Sequence, residues 1–168
     1  MSSSEPHQPT SSASVYAPTV DGASLEPSAQ PAPLGPPRSL EGVRVLVVED
    51  EPDSREVLTE LLEFHGASVR TAASAAEAVA EFEAASPDLV VSDIAMPGED
   101  GFSLMRKLRA REGQPRFAAA ALSAFSQKVD RERALAAGFD AYVAKPMRPE
   151  YLVQVVSRLV AAMRTASA

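Results

Sequence analysis

Four apolar runs in this chain end in groups that could do chemistry. Val43 to Val48 leads into Glu49-Asp50-Glu51, and the run from Asp88 closes on Asp93. Phe117 to Leu122 is followed by Ser123, and Ala141 to Ala144 by Lys145-Pro146. Carboxylates brought together repel and raise one another's proton affinity unless a cation resolves the conflict. A hard divalent ion does so: Mg²⁺ takes one or two carboxylates, keeps several waters and leaves room for a phosphate oxygen. Ser123 would add a hydroxyl donor and Lys145 a point charge. Acids, a hydroxyl and an ammonium from separate segments make a site suited to a phosphoryl group. That chemistry requires a fold that gathers the four segment ends.

The pattern between them supplies one. Val43 to Val48 is a short β-branched run that reads as a buried strand. Pro52 opens a helix with Val57, Leu58, Leu61 and Leu62 on one face, and Gly66 closes it. A weaker strand follows at Ser68 to Ala72. Ser74 and Glu77 form a capping box for a second helix that turns Ala78, Val79 and Phe82 inward. Asp88 to Asp93 is the third strand. The third helix starts near Gly101 and buries Leu104, Met105 and Leu108. Phe117 to Leu122 is strand four, and a helix runs from about Ser126 to Ala137. Ala141 to Ala144 is strand five. The last helix starts near Pro149 and buries Leu152, Val155, Val156, Leu159 and Val160.

Five continuous apolar strands alternating with five one-faced helices imply an α/β fold with a parallel sheet covered on both sides. Right-handed crossovers and this length favour a doubly wound, flavodoxin-like sheet of order 2-1-3-4-5. Strands one and three are then neighbours, and Glu49, Asp50 and Asp93 converge at the switch point.

Composition divides the chain near residue 40. Residues 1–40 hold 8 of the 14 prolines and only the charges of Glu5, Asp21, Glu26 and Arg38, so they read as a disordered Pro/Ser/Ala-rich leader. Residues 41–164 form the domain, and 165–168 a tail. With 23 acidic against 16 basic residues the net charge is -7, which disfavours nucleic acid and anionic membranes as partners. No cysteine is present, which excludes disulfides and thiolate chemistry. No run approaches the roughly 18 apolar residues of a membrane span, and the first basic residue, Arg38, comes too late for a secretory signal. A cytoplasmic protein is expected.

Four motifs in order carry a resemblance. Val47-Val-Glu-Asp-Glu51, Ser92-Asp-Ile-Ala-Met-Pro-Gly98 with Asp100-Gly101, Ala121-Leu-Ser-Ala124, and Gly138-Phe-Asp-Ala-Tyr-Val-Ala-Lys-Pro146 stand at the strand ends. From Val43 to Val160 the chain resembles the receiver domain of two-component response regulators, closest in motif wording to receivers of hybrid sensor kinases. The resemblance implies that Asp93 is the phosphoacceptor. It assigns Mg²⁺ to Glu49, Asp50, Asp93 and the backbone carbonyl of Ala95. Ser123 would bond the phosphoryl group, Lys145 would neutralise it, and Tyr142 would be the switch aromatic. The Lys145-Pro146 bond would be cis. The donor would be a histidine kinase or histidine-phosphotransfer protein, and the target another protein. Some members pair on phosphorylation through helix four, strand five and helix five, and others stay monomeric.

Two positions depart from the polar residues that tune hydrolysis in this family. They are Ala95 and Phe125, two places after Asp93 and Ser123, and neither can orient a water by hydrogen bonding. Slow self-dephosphorylation is the expectation.

Other polar residues carry blander readings. Glu51 reads as an acid favourable to the helix dipole, His65 as a solvated residue at a helix end, and Arg106, Lys107, Arg109 and Arg111 as the wet face of helix three. The chain stops soon after the fifth helix, so no output domain is expected. A scaffold using the fold without phosphorylation is the alternative, although the intact Asp50, Asp93, Ser123 and Lys145 argue against it. A phosphatase would need a second acid two residues past the nucleophile, where Ala95 stands. The chain is therefore expected not to be an enzyme beyond catalysing its own phosphorylation and dephosphorylation.

Overall fold

A computed structural model of the protein describes residues 39–124 and 127–167. Five parallel strands form one sheet in the order β2-β1-β3-β4-β5, with β1 at Arg44–Val48, β2 at Ser68–Ala72, β3 at Leu89–Asp93, β4 at Ala118–Ser123 and β5 at Ala141–Ala144. Each strand but the last is followed by a crossover helix: α1 Pro52–Phe64, α2 Ala75–Ala85, α3 Gly101–Arg109 and α4 Lys128–Ala137. Helix α5, Pro149–Ala166, follows β5. The doubly wound order inferred from the strand pattern is the order observed.

The sheet separates two apolar layers because strand side chains alternate between faces. Val45, Val47, Leu89, Val91, Ala118, Ala120 and Leu122 share one layer with Leu58 and Leu62 of α1 and Leu152, Val155, Val156 and Val160 of α5. Leu46, Val48, Val90, Ala119 and Ala121 share the other with Ala78 and Phe82 of α2, Leu104, Met105 and Leu108 of α3, and Ala134 and Ala137 of α4. An unbroken apolar strand therefore reflects burial on both faces.

Local chemistry sets the helix starts. Glu51 caps α1, accepting the Ser54 N–H at 2.6 Å, with Pro52 in the first turn. Ser74 Oγ accepts from Glu77 N–H at 3.2 Å, while Glu77 reaches back to Ala73 N–H at 3.0 Å, one residue beyond the usual N-cap partner. Asp100 caps α3 through Ser103 N–H at 2.8 Å.

Several expectations change. Leu40, assigned by composition to the leader, is fully buried beside α1 and donates its N–H to the His65 carbonyl at 2.9 Å. The packed domain therefore begins before residue 41; the rest of the leader, 1–38, lies outside the described residues. His65 is buried, not solvated, and among the described residues its Nδ1 has no hydrogen-bond partner. Val57 is 61% exposed, because the inward stripe of α1 is centred on Leu58 and Leu62. In α5, Val153 is buried and Leu159 only partly so, and the helix continues past residue 164 to Ala166. Strand β4 extends one residue further than expected, to Ser123, whereas the expected helix start at Ser126 lies outside the described residues.

Helix α3 is not simply wet on its basic side. Arg109 donates to the carbonyls of Gly138 at 2.9 Å and Phe117 at 2.8 Å and to Asp140 Oδ2 at 2.9 Å, and lies 4.0 Å over the Phe117 ring. Lys107 pairs with Glu99 at 2.7 Å and Arg111 pairs with Glu83. At Gly138 φ is +113°, and an added Cβ would lie 2.7 Å from Arg109 Cγ, so both conformation and space call for glycine.

Asp88 fixes the lower end of the β1–β3 pair. Its carboxylate accepts Arg44 N–H at 2.9 Å, Nε at 3.2 Å and Nη2 at 3.1 Å. Partial burial works to raise the Asp88 pKa, but the Arg44 hydrogen bonds and charge outweigh it and hold the carboxyl below its ordinary value. A lowered acid pKa stabilises the fold above the ordinary value and loses that contribution as pH falls through the native one. Asp88→Asn is therefore expected to cost about 0.5–1 kcal/mol at neutral pH, a figure discounted for the exposed arginine. In urea unfolding at a series of pH values, this cost should vanish in acid. A cost independent of pH would contradict the assignment.

Candidate functional site

The carboxyl ends of four strands meet above the sheet. Register pairs Val48 with Ser92, so Glu49 and Asp50 leave β1 beside Asp93, the last residue of β3. Asp93 is paired with Leu122, which places Ser123 one step further along β4, and Ser123 is paired with Ala144, the residue before Lys145. The Lys145 N–H donates to the Ser123 carbonyl at 2.7 Å, and the Lys145–Pro146 bond is cis. Thus the parallel order itself delivers each group to one rim.

Glu49, Asp50 and Asp93 each present a carboxylate oxygen within 4.8 Å of the others. Lys145 Nζ reaches Glu49 Oε2 at 2.9 Å and Asp93 Oδ2 at 3.2 Å. Glu49 is 1% exposed and Asp93 7%, so water screens neither well. Glu49 also accepts the Glu51 N–H on Oε1 at 3.2 Å, which holds its second oxygen. Asp93 Oδ1 accepts the Ala95 N–H at 3.3 Å, which places that amide against the carboxylate. The Ala95 residue is itself exposed.

The electrostatics leave the pocket short of positive charge. Burial pushes the Glu49 carboxyl above its ordinary pKa; the Lys145 hydrogen bond opposes this, while Asp93 repels. Burial alone would lower Lys145, but the bonds and charges of Glu49 and Asp93 outweigh it and hold the ammonium above its ordinary value. One ammonium shared between carboxylates thus does not fully compensate them. A hard cation fits such an all-oxygen donor set.

Tyr142 sits on β5 opposite Ala121, half-buried against the apolar layer of α2, α3 and α4. Phe125 lies outside the described residues. Two contributors were not foreseen from the sequence. Glu51, read as a dipole partner only, is the α1 cap and also donates its N–H to Glu49. Arg55 donates through Nη1 to the Glu49 and Asp50 carbonyls at 2.8 and 3.4 Å. A cation in the first turns of a helix, where acids are favoured, was the available signal.

This fold and this rim define a class of protein. The family model for the response regulator receiver domain matches residues 45–157, and the chain belongs to that family. It is similar to an uncharacterized 14.6 kDa protein from the sodA1 3′ region of Leptolyngbya boryana, 40% identical over 121 residues, covering 72% of this chain and 92% of that one. A gliding motility regulatory protein of Myxococcus xanthus is 36% identical over 118 residues, which cover 70% of this chain and 15% of the relative. The chain therefore spans most of one relative and a small part of the other. Among solved structures, the signal receiver domain of a signal transduction histidine kinase from Syntrophus aciditrophicus is 31% identical, with a TM-score of 0.66, covering 72% of this chain and 92% of that one. Among the described residues, no helix is long and apolar enough to cross a membrane.

Gly101 keeps the rim compact. Its N–H donates to the Ile94 carbonyl at 2.9 Å, and an added Cβ would lie 2.5 Å from the Asp93 carbonyl oxygen and 2.9 Å from Ile94 Cα. Both obstacles are backbone, so α3 would have to move away from the end of β3. Gly101→Ala is expected to destabilise the fold by about 1–3 kcal/mol in denaturant unfolding. Wild-type stability would show that the contact is not tight.

Proposed function

We propose that this receiver domain takes a phosphoryl group on Asp93 from a histidine kinase or histidine-phosphotransfer protein and signals through protein–protein contacts. The observation that carries the reading is the Lys145 ammonium bonded to both Glu49 and Asp93, beside three clustered carboxylates at the strand ends. A carboxylate is a weak nucleophile, but phosphoryl transfer has a loose transition state that needs positioning and charge neutralisation more than basicity. One Asp93 oxygen forms a bond to phosphorus as the phosphorus–nitrogen bond of the donor phosphohistidine breaks. The product is a mixed anhydride, and the donor imidazole leaves with the bonding pair.

Glu49, Asp50 and Asp93 would hold Mg²⁺, with the Ala95 carbonyl as the further ligand that the family resemblance implies. The bound ion supplies neutralisation of charge on the transferring oxygens. Lys145 is already against Asp93 and can pair with a phosphoryl oxygen there. Ser123, buried at the end of β4, offers the hydroxyl that would bond the group once attached, and Tyr142 would respond on the same side of the sheet. The added charge would bias the surface of α4, β5 and α5 between two arrangements. The chain would act in the cytoplasm and catalyse no reaction beyond its own phosphorylation and dephosphorylation.

Incubation with Mg²⁺ and acetyl phosphate should add one phosphate to the intact mass of the chain, and Asp93→Asn should add none. No adduct in any condition would favour a phosphorylation-independent scaffold, and steady turnover of phosphate esters an enzyme. The methyl side chain of Ala95 cannot orient an attacking water. The adduct should accordingly persist for minutes or longer when the donor is removed; decay within seconds would contradict this.

A further inference from the structure

We propose that Arg55 is a positioning residue for the cation pocket, fixing the backbone that aims Glu49 and Asp50. The inference rests on the metal-site reading above and extends it to a residue on a different element. Beyond Val48 the last bond of β1 to the sheet runs from Glu49 N–H to the Ala72 carbonyl at 3.1 Å. The sheet ladder therefore does not hold the carbonyls that follow. Arg55 Nη1 takes them both, at 2.8 Å for Glu49 and 3.4 Å for Asp50.

The geometry follows from the helix. Arg55 is the fourth residue of α1, and helical side chains lean toward the N-terminus, so its guanidinium reaches back to the carbonyls before the helix. A cation at that end opposes the helix dipole. The two carbonyl bonds give it a compensating role. Holding both peptide planes sets the directions in which the Glu49 and Asp50 side chains leave the backbone, together with the Glu51 N–H bond to Glu49 Oε1. Groups that orient metal ligands in this way typically matter roughly 10–100-fold for metal affinity.

A purely Coulombic role has the opposite sign. A guanidinium near the pocket would repel a divalent ion, so its removal would tighten binding. Calorimetric titration of the full chain with MgCl₂ separates the two, with thermal unfolding in the absence of metal run alongside. Arg55→Met is expected to weaken Mg²⁺ binding by about 10-fold or more. Arg55→Lys keeps the charge on a rotatable ammonium but loses the planar guanidinium that carries Nη1 to both carbonyls, and is expected to lose less than Arg55→Met. Unchanged or tighter binding in Arg55→Met would overturn the proposal, as would a lowered unfolding temperature with wild-type affinity. Should Arg55→Met fail to fold, Arg55→Lys decides: several-fold weaker binding supports the role and wild-type binding overturns it. A wild-type chain that takes up no Mg²⁺ would remove the metal-site reading itself, and the role of Arg55 with it.

Discussion

The ammonium of Lys145, held between Glu49 and Asp93, is the interaction on which the rest of the site depends. Carboxylates from two neighbouring strands are buried side by side, and the pocket would be strongly repulsive without a cation. Lysine suits the task because its compact charge sits on a flexible stem whose rotatable donors meet both carboxylates. It must come from β5, two strands away from β3, so the whole parallel order is needed to bring it there. A sheet that lost register at β4 would separate the ammonium from its carboxylates, since the Ser123–Ala144 pair sets where β5 ends against β4.

The body of the fold serves this rim by being rigid beneath it. All five residues of β3 and all six of β4 are buried, and the alanines of β4 let the layers on both faces approach closely. Alanine is a poor strand former on its own, so β4 owes its conformation to pairing on both sides. At the opposite end of the sheet, Arg109 joins α3, the residue that leads into β4 and the loop between α4 and β5. Helix α4 buries only Ala134 and Ala137, with Arg133 lying 4.6 Å over the Phe102 ring of α3. Little apolar area opposes a shift of α4, whereas its C-terminal end is tied down by the Arg109 contact with Gly138.

Strand order and the acidic rim were legible in the sequence because both depend on pattern. Apolar runs of strand length ended in chemical groups, and a parallel sheet puts all such ends on one side. What pattern could not show was the destination of long or isolated side chains. Arg109 and Arg55 look like surface charges until tertiary structure places carbonyls within their reach. Leu40 stands alone in a proline-rich segment, so no periodicity marked it as core, and its backbone bond to His65 joins two buried residues. Val57 erred the other way: it falls within an apolar face but beyond the stripe that the sheet covers.

If Lys145 and a divalent ion neutralise the same carboxylates, they must be partly interchangeable. Thermal unfolding with and without Mg²⁺, compared between the wild type and Lys145→Met, tests this directly. Without metal, Lys145→Met should unfold at a lower temperature, since its carboxylates lose the Lys145 ammonium. With Mg²⁺ it should recover most of the difference, gaining more than the wild type gains. An equal gain in both proteins, or none in either, would contradict a shared charge balance at the ends of β1, β3 and β5.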